Sequence, residues 1–240
     1  EKGYYEMNAA IILAGGQGRR MGADIPKQFL EINGKPLVLF ALQAFASCPE
    51  IDYICLVCLK AYRSYLQELL LRYGLSAKVD RIVSAGETRR ESSYNGVMAL
   101  QDVCAPDDVV LIHDGARPNL TARIIRDNIE AANRFGACET VIPVQDTIIY
   151  GTETGKLHTI PDRNQLYQVQ TPQSFRYHLI CEAHEKAAEE EAHQQEFTDD
   201  AGMLLHAGYD VHFVKGDKMN LKVTSPEDLR LMEFYGALPD

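Results

Sequence analysis

Residues 9–28, AAIILAGGQGRRMGADIPKQ, bring an apolar run, a glycine cluster, an arginine pair and a lysine into one short stretch. The run is closed by Gly15, Gly16 and Gly18 and reads as a buried first strand ending in a loop. Glycine there lets the backbone turn sharply and approach a ligand that a Cβ would block. Backbone N–H groups of such a loop cradle phosphate oxygens, and Arg19, Arg20 and Lys27 add fixed positive charge beside them. The chemistry is that of a polyphosphate site. Two familiar phosphate loops do not fit. The dinucleotide fingerprint needs a third glycine where Met21 stands, and the P-loop needs Ser or Thr after Gly-Lys, where Pro36 and Leu157 stand.

Other groups are placed to act with this loop. Asp114 follows the apolar run 109–112, within His113-Asp114-Gly115-Ala116-Arg117-Pro118. A carboxylate at a strand's carboxyl end, facing a phosphate loop, is placed to hold a divalent metal bridging phosphate oxygens; the plainer role is a loop Asp capping the next turn. In a strand, Asn220 and Lys222 share a face and point into one cleft. Arg163 can clamp a phosphate bidentately or pair with a surface carboxylate. The seven histidines show no metal spacing, and neither a Ser–His–Asp nor a Cys–His set stands out.

The elements that must position these groups alternate. Strand patterns at 9–13, 53–59, 80–84, 108–113 and 139–143 are separated by helical patterns at 36–48, 62–73, 92–100 and 122–135. Such alternation implies βαβ units: a Rossmann-like, mostly parallel α/β sheet with helices on both faces, binding ligands at the strands' carboxyl ends. The rhythm breaks at 147–175, where 148–150 and 157–160 flank a turn-rich segment and read as a protruding β-hairpin. Helices at 178–193 and 199–207, a strand at 211–214 and a helix at 226–235, opened by Ser225 with Asp228 three residues on, complete the chain. The organisation expected is one domain over 7–240, with 147–170 as an arm and 1–6 as a flexible N-terminus.

A net charge of −10 argues against a general nucleic-acid binder, whose domain would normally be basic, but not against a nucleotide substrate, because local cations decide a small-ligand site. No stretch approaches the roughly 20 apolar residues of a membrane span, so no membrane partner is expected. Six scattered cysteines fit a reduced, cytoplasmic setting, and Cys55 and Cys58 read as core strand residues rather than zinc ligands.

The ordered set of motifs resembles one family. LAGGQGRRM with PKQ, VLIHDGARP, PVQDT, Asp162-Arg163, QTPQ, Thr198-Asp199-Asp200-Ala201 and NLKVT run over nearly the whole chain, as in the 2-C-methyl-D-erythritol 4-phosphate cytidylyltransferases. The resemblance implies a homodimeric, magnesium-dependent nucleotidyltransferase of the non-mevalonate isoprenoid pathway. It implies that Ala14, Gly15, Gly16 and Gly18, with Gly86, Glu87 and Ser92, bind CTP. Arg20, Lys27 and Lys222 surround the α-phosphate, and Asp114 lies beside Mg²⁺. Thr147 and Arg163 on the arm reach the polyol phosphate across a dimer interface, with Arg117 and Thr171 lining that pocket. The implied reaction is in-line attack of the acceptor phosphate on the α-phosphorus, with release of pyrophosphate. The loop, Ile160-Pro161 and the segment from Tyr167 to Phe175 also resemble ribitol-5-phosphate cytidylyltransferase. The acceptor expected is methylerythritol phosphate, with ribitol 5-phosphate as the alternative.

Overall fold

A computed structural model describes residues 6–16, 25–191 and 197–236. Of the expected flexible N-terminus only Glu6 falls among them, and Gly18, Arg19 and Arg20 lie outside them. The chain runs through β1 (Asn8–Ala14), a small hairpin of β2 (Glu31–Ile32) and β3 (Lys35–Pro36), α1 (Leu37–Ala46), β4 (Tyr53–Cys58), α2 (Arg63–Arg72), β5 (Arg81–Ser84), α3 (Arg89–Met98), β6 (Val109–Asp114) and α4 (Ala122–Phe135). There follow β7 (Ala137–Pro143), the arm strands β8 (Tyr150–Gly151) and β9 (Leu157–Thr159), β10 (Tyr167–Arg176), α5 (Tyr177–Glu191), α6 (Asp200–His206), β11 (His212–Lys215) and α7 (Pro226–Gly236).

The central sheet has the order β11-β7-β10-β6-β1-β4-β5. β1 pairs in parallel with β4 and β6, β4 with β5, and β11 with β7. β1 and β6 are apolar on both sides because both sides are covered. Ala10 and Ile12 pack with Leu42 and Phe45 of α1, Leu66 of α2 and Ile124 of α4. Ala9 and Ile11 face the other way, onto Val97 of α3, Ile180 of α5 and Leu204 of α6. Each fully buried Ile, Leu, Val or Phe side chain among them contributes about 1.5–3 kcal/mol. Cys55 and Cys58 are buried in β4, one in each layer, as core residues. Among the described residues no helix is long and apolar enough to cross a membrane.

Local signals explain the element ends. Thr88 and Glu91 form a reciprocal capping box that starts α3. Gly136, at φ +87, ends α4 in a conformation that L side chains rarely adopt. Ser225 and Asp228 cap each other's backbone at the start of α7, as their spacing predicts. Gly96 lets α3 lie close on the sheet, since a Cβ there would meet Ile11 Cγ2 at 2.6 Å.

Two features differ from the sequence reading. β10 is a ten-residue strand antiparallel to both β6 and β7, where the residues 170–173 read as polar groups at the end of the hairpin region. Its middle, Gln170-Thr171-Pro172-Gln173, lacks apolar alternation and contains proline. Pairing with β7 shifts register between Val169 and Gln173, and the bulge accommodates the proline, whose Thr171–Pro172 bond is cis. Second, Asn220–Lys222 is not a strand. That segment crosses the end of β6 as a loop, held by Val223 N–H to Ala116 O (2.9 Å) and by Asn220 Nδ2–H to Thr171 O (2.8 Å). It has no neighbouring strand to pair with.

Candidate active site

The glycine loop leaves the end of β1 at the centre of the sheet. Gln28, buried, donates from Nε2 to Ala14 O at 2.6 Å and so pins the Pro26-Lys27-Gln28 segment to the strand end. A Cβ on Gly16 would lie 3.9 Å from Lys27 Cε, which puts the lysine stem beside the loop. Gly15 has no room for a side chain, because a Cβ there would sit 2.3 Å from Ala85 Cβ and 3.2 Å from Ser92 Oγ. Ser92 Oγ accepts from Gly86 N–H at 3.1 Å and donates to Thr88 O at 2.9 Å. Gly15, Gly86 and Ser92 thus form one close-packed wall. Glu87 is exposed at its rim, its backbone N–H donating to Glu91 Oε2.

Asp114, at the end of β6, is the electrostatic centre. Lys222 Nζ lies 2.8 Å from its Oδ2, Arg117 Nε 3.7 Å from the same oxygen, and Arg89 Nε 3.5 Å from Oδ1. Burial alone would raise the Asp114 carboxyl, but Lys222, then Arg89 and Arg117, outweigh it and hold the group well below the usual carboxylate range. With Asp200 also paired to Arg89, three cations face two carboxylates, and the excess of one positive charge suits a polyphosphate.

Second contacts hold this arrangement. His113 is fully buried, and burial pushes its pKa down to about 4, so the ring is neutral. Its Nε2 sits 3.2 Å from Arg117 O, a pure acceptor, so Nε2 carries the proton and Nδ1 accepts from the Thr171 hydroxyl at 3.0 Å. Thr171 Oγ1 in turn accepts from Asp114 N–H at 3.1 Å. The Thr171 hydroxyl is therefore turned inward, onto the Asp114 backbone. Arg117, 8% exposed, donates to Asn220 O at 2.8 Å.

Beyond Lys222 opens a cavity of about 550 Å³, walled by Arg117, Lys222, Lys218, Gln145, Asp146 and Thr224 among others. Arg163 Nη1–H donates to Gln145 O at 2.9 Å, which brings the base of the arm to the cavity's rim. Thr147 is exposed nearby in sequence. Lys27, Asp114, Arg117 and Lys222 are thus gathered at the strand ends, whereas Gly18 and Arg20 lie outside the described residues. Arg89 and Lys218 escaped the sequence reading. An arginine pair at 89–90 directly after the Gly86-Glu87 turn was the available signal for the first.

The family model for 2-C-methyl-D-erythritol 4-phosphate cytidylyltransferase (IspD) matches residues 8–237. The chain belongs to that family. It is a nucleotidyltransferase of the cytidylyltransferase type. Curated 2-C-methyl-D-erythritol 4-phosphate cytidylyltransferases of Clostridium perfringens (strain SM101) and Clostridium botulinum (strain Loch Maree) are each 40% identical to it, covering 94% of this chain and 97% and 96% of their own lengths. Among solved structures, the 4-diphosphocytidyl-2C-methyl-D-erythritol synthase of Anaerococcus prevotii superposes with a TM-score of 0.81 at 26% identity, over 97% of this chain and 99% of its own. The Thermus thermophilus enzyme superposes at 0.74 and 27% identity, over 98% and 100%. The seven-stranded sheet and its arm are thus those of the cytidylyltransferase fold.

A metal fits the cytidylyltransferase site in one way only. Among the described residues no group of three or more His, Cys, Asp or Glu side chains is placed to hold an ion. Asp114 is a single hard oxygen donor, and Mg²⁺ commonly takes one carboxylate and completes its shell with substrate phosphates and water.

Proposed function

We propose that this enzyme joins CMP from CTP to 2-C-methyl-D-erythritol 4-phosphate and releases pyrophosphate. The observation that carries this is the Asp114 cluster, with Lys222, Arg89 and Arg117 around one carboxylate beside the Gly15-Gly16 loop. An oxygen of the acceptor phosphate attacks the α-phosphorus. A P–O bond forms there, and the bond to the bridging α–β oxygen breaks, pyrophosphate leaving with the electron pair. No protein nucleophile is required, so catalysis is alignment of two anions and neutralisation of their charge. Lys27, Lys222 and Arg20 serve the α-phosphate. Ala14, Gly15, Gly16, Gly18, Gly86, Glu87 and Ser92 hold the cytosine, ribose and phosphate chain. The tight wall of Gly15, Gly86 and Ser92 suits a pyrimidine better than a purine.

The cavity beyond Lys222 takes the acceptor, with Arg117 on its wall and Arg163 and Thr147 at its rim. Thr171 acts there through the Asp114 backbone. Asp114 would offer the one carboxylate to a Mg²⁺ ion arriving with the triphosphate, which would supply Lewis-acid polarisation of phosphoryl oxygens. The enzyme works as a cytoplasmic homodimer of single-domain subunits joined through the 147–170 arm. Six free thiols support a reducing compartment, and Ile149, Tyr150 and Leu157, at 56%, 64% and 52% exposure, support an arm that packs against a second copy.

Pyrophosphate release with CTP and Mg²⁺ tests the reaction. Methylerythritol 4-phosphate and ribitol 5-phosphate are compared side by side, with the first preferred. No release with either would sink the proposal, and preference for ribitol phosphate would move the acceptor.

A further inference from the structure

The Thr198-Asp199-Asp200-Ala201 motif is left over by this reading, and its two carboxylates do different work. Asp199 caps α6, its Oδ1 accepting from Gly202 N–H at 2.9 Å. Asp200 is not needed for that. Its side chain is entirely buried, and both oxygens accept from α3: Oδ1 from the Ser93 hydroxyl at 2.5 Å and Oδ2 from Arg89 Nη1 at 2.8 Å. Its backbone N–H donates to Gln173 Oε1 at 3.0 Å, fixing its place against β10.

Energy alone does not explain such a pair. Taking a carboxylate and a guanidinium out of water costs about what their attraction returns, and well-packed apolar residues would serve stability as well. What the pair does achieve is geometric. Arg89 bridges two carboxylates, with Nη1 on Asp200 and Nε facing Asp114 at 3.5 Å, an ion-pair distance too long for a strong hydrogen bond. Released from Asp200, the guanidinium fork is free to close on Asp114 with two parallel bonds, the geometry Arg and carboxylate prefer. That would draw Asp114 from Lys222, which now holds Oδ2 at 2.8 Å.

We propose that Asp200 is a positioning residue of the nucleotide site. It anchors Arg89 so that the guanidinium faces Asp114 without capturing it, leaving Asp114 to Lys222 and the cations to CTP. This rests on reading the Asp114 cluster as the CTP site.

The test is CTP binding by calorimetry with Mg²⁺ on the full chain, for Asp200→Asn, Arg89→Lys and the double variant, each with a thermal melt. The amide keeps Asp200's shape without its charge, and lysine keeps the charge of Arg89 but cannot bridge two carboxylates. Each single variant should weaken CTP binding about tenfold, the scale of one charge-assisted hydrogen bond. The acceptor KM should hold steady, and the double variant should lose no more than either alone. A folded variant that binds CTP like the wild type overturns the proposal, as do losses that multiply in the double variant. A lower melting temperature with an unchanged CTP Kd would make Asp200 merely structural. Should Asp200→Asn fail to fold, Arg89→Lys decides. Binding is read without acceptor, so a wrong acceptor leaves the test intact, whereas a wild type that ignores CTP removes the site reading and this one together.

Discussion

The side chains of the site are tuned by what surrounds them, and two carboxylates on the strands either side of β10 are driven in opposite directions. Asp114 meets three cations and stays ionised at every working pH. Glu139 on β7 is pushed up to about 8, by burial first and then by Asp199, against which Arg89 and the Gln173 amide only partly compensate. An unfolded glutamate titrates near pH 4.3, so between about 4 and 8 the folded chain holds a proton the unfolded chain has lost, and stability falls as pH rises through that window. Glu139→Gln mimics the protonated form at every pH. Its melting temperature should therefore pull ahead of the wild type's as pH rises from about 5 to 9. Parallel curves would mean that neither burial nor Asp199 raises Glu139 in the folded chain. The residue types at the phosphate loop were legible in sequence because glycine beside arginine and lysine has few other uses. The inward turn of Thr171 was not legible, since its partners His113 and Asp114 lie on a strand met 57 residues earlier.

At the scale of elements, α3 is the part whose placement matters most to the site. It carries Arg89 and Ser92 at its first turn and is seated through Gly96 on Ile11 and Val57. A valine at 96 would push a Cβ into space already filled at 2.6 and 3.0 Å, so α3 must shift. Overpacking of this kind costs about 1–3 kcal/mol. Gly96→Val should lower the melting temperature and also weaken CTP binding, because it displaces the helix that carries Arg89 and Ser92. A stability loss with unchanged CTP affinity would show that the helix start is held independently by its capping box. The alternating βα rhythm was readable from β1 to β7 because each buried strand is a near-continuous apolar run and each helix is long. β10 escaped because four of its six buried residues, Gln170, Thr171, Gln173 and Ser174, are polar and are satisfied by hydrogen bonds to Asp217, to His113 and Asp114, to Glu139, and to Asn128 respectively.

For the whole molecule the decisive question is the arm. Residues 147–160 carry exposed Ile148, Ile149, Tyr150, Leu157 and Ile160, an apolar surface that a lone subunit leaves in water. If the arm joins two copies, Tyr150→Glu with Leu157→Glu should shift the species seen by light scattering from dimer to monomer. The core should melt as before, and the acceptor KM should rise because Arg163 sits at the arm's base. A monomeric wild type would dismiss the arm as the dimer contact. The hairpin's existence could be read from its flanking β-branched residues, but the purpose of an exposed apolar strip is a property of assembly and leaves no spacing to read.

Because Arg89 and Asp200 stand 111 residues apart, and Arg117 and Asn220 103, the site is stitched from segments far apart in the sequence. A chain emerging from the ribosome releases β1 through β6 first, with Asp114 and its arginines but without Lys222 or Asp200. The half-made protein carries part of the charge pattern without the two residues that complete it. Lys222 and Asp200, which complete the pairing of Asp114 and Arg89, are thus the last members of the cluster to be synthesised.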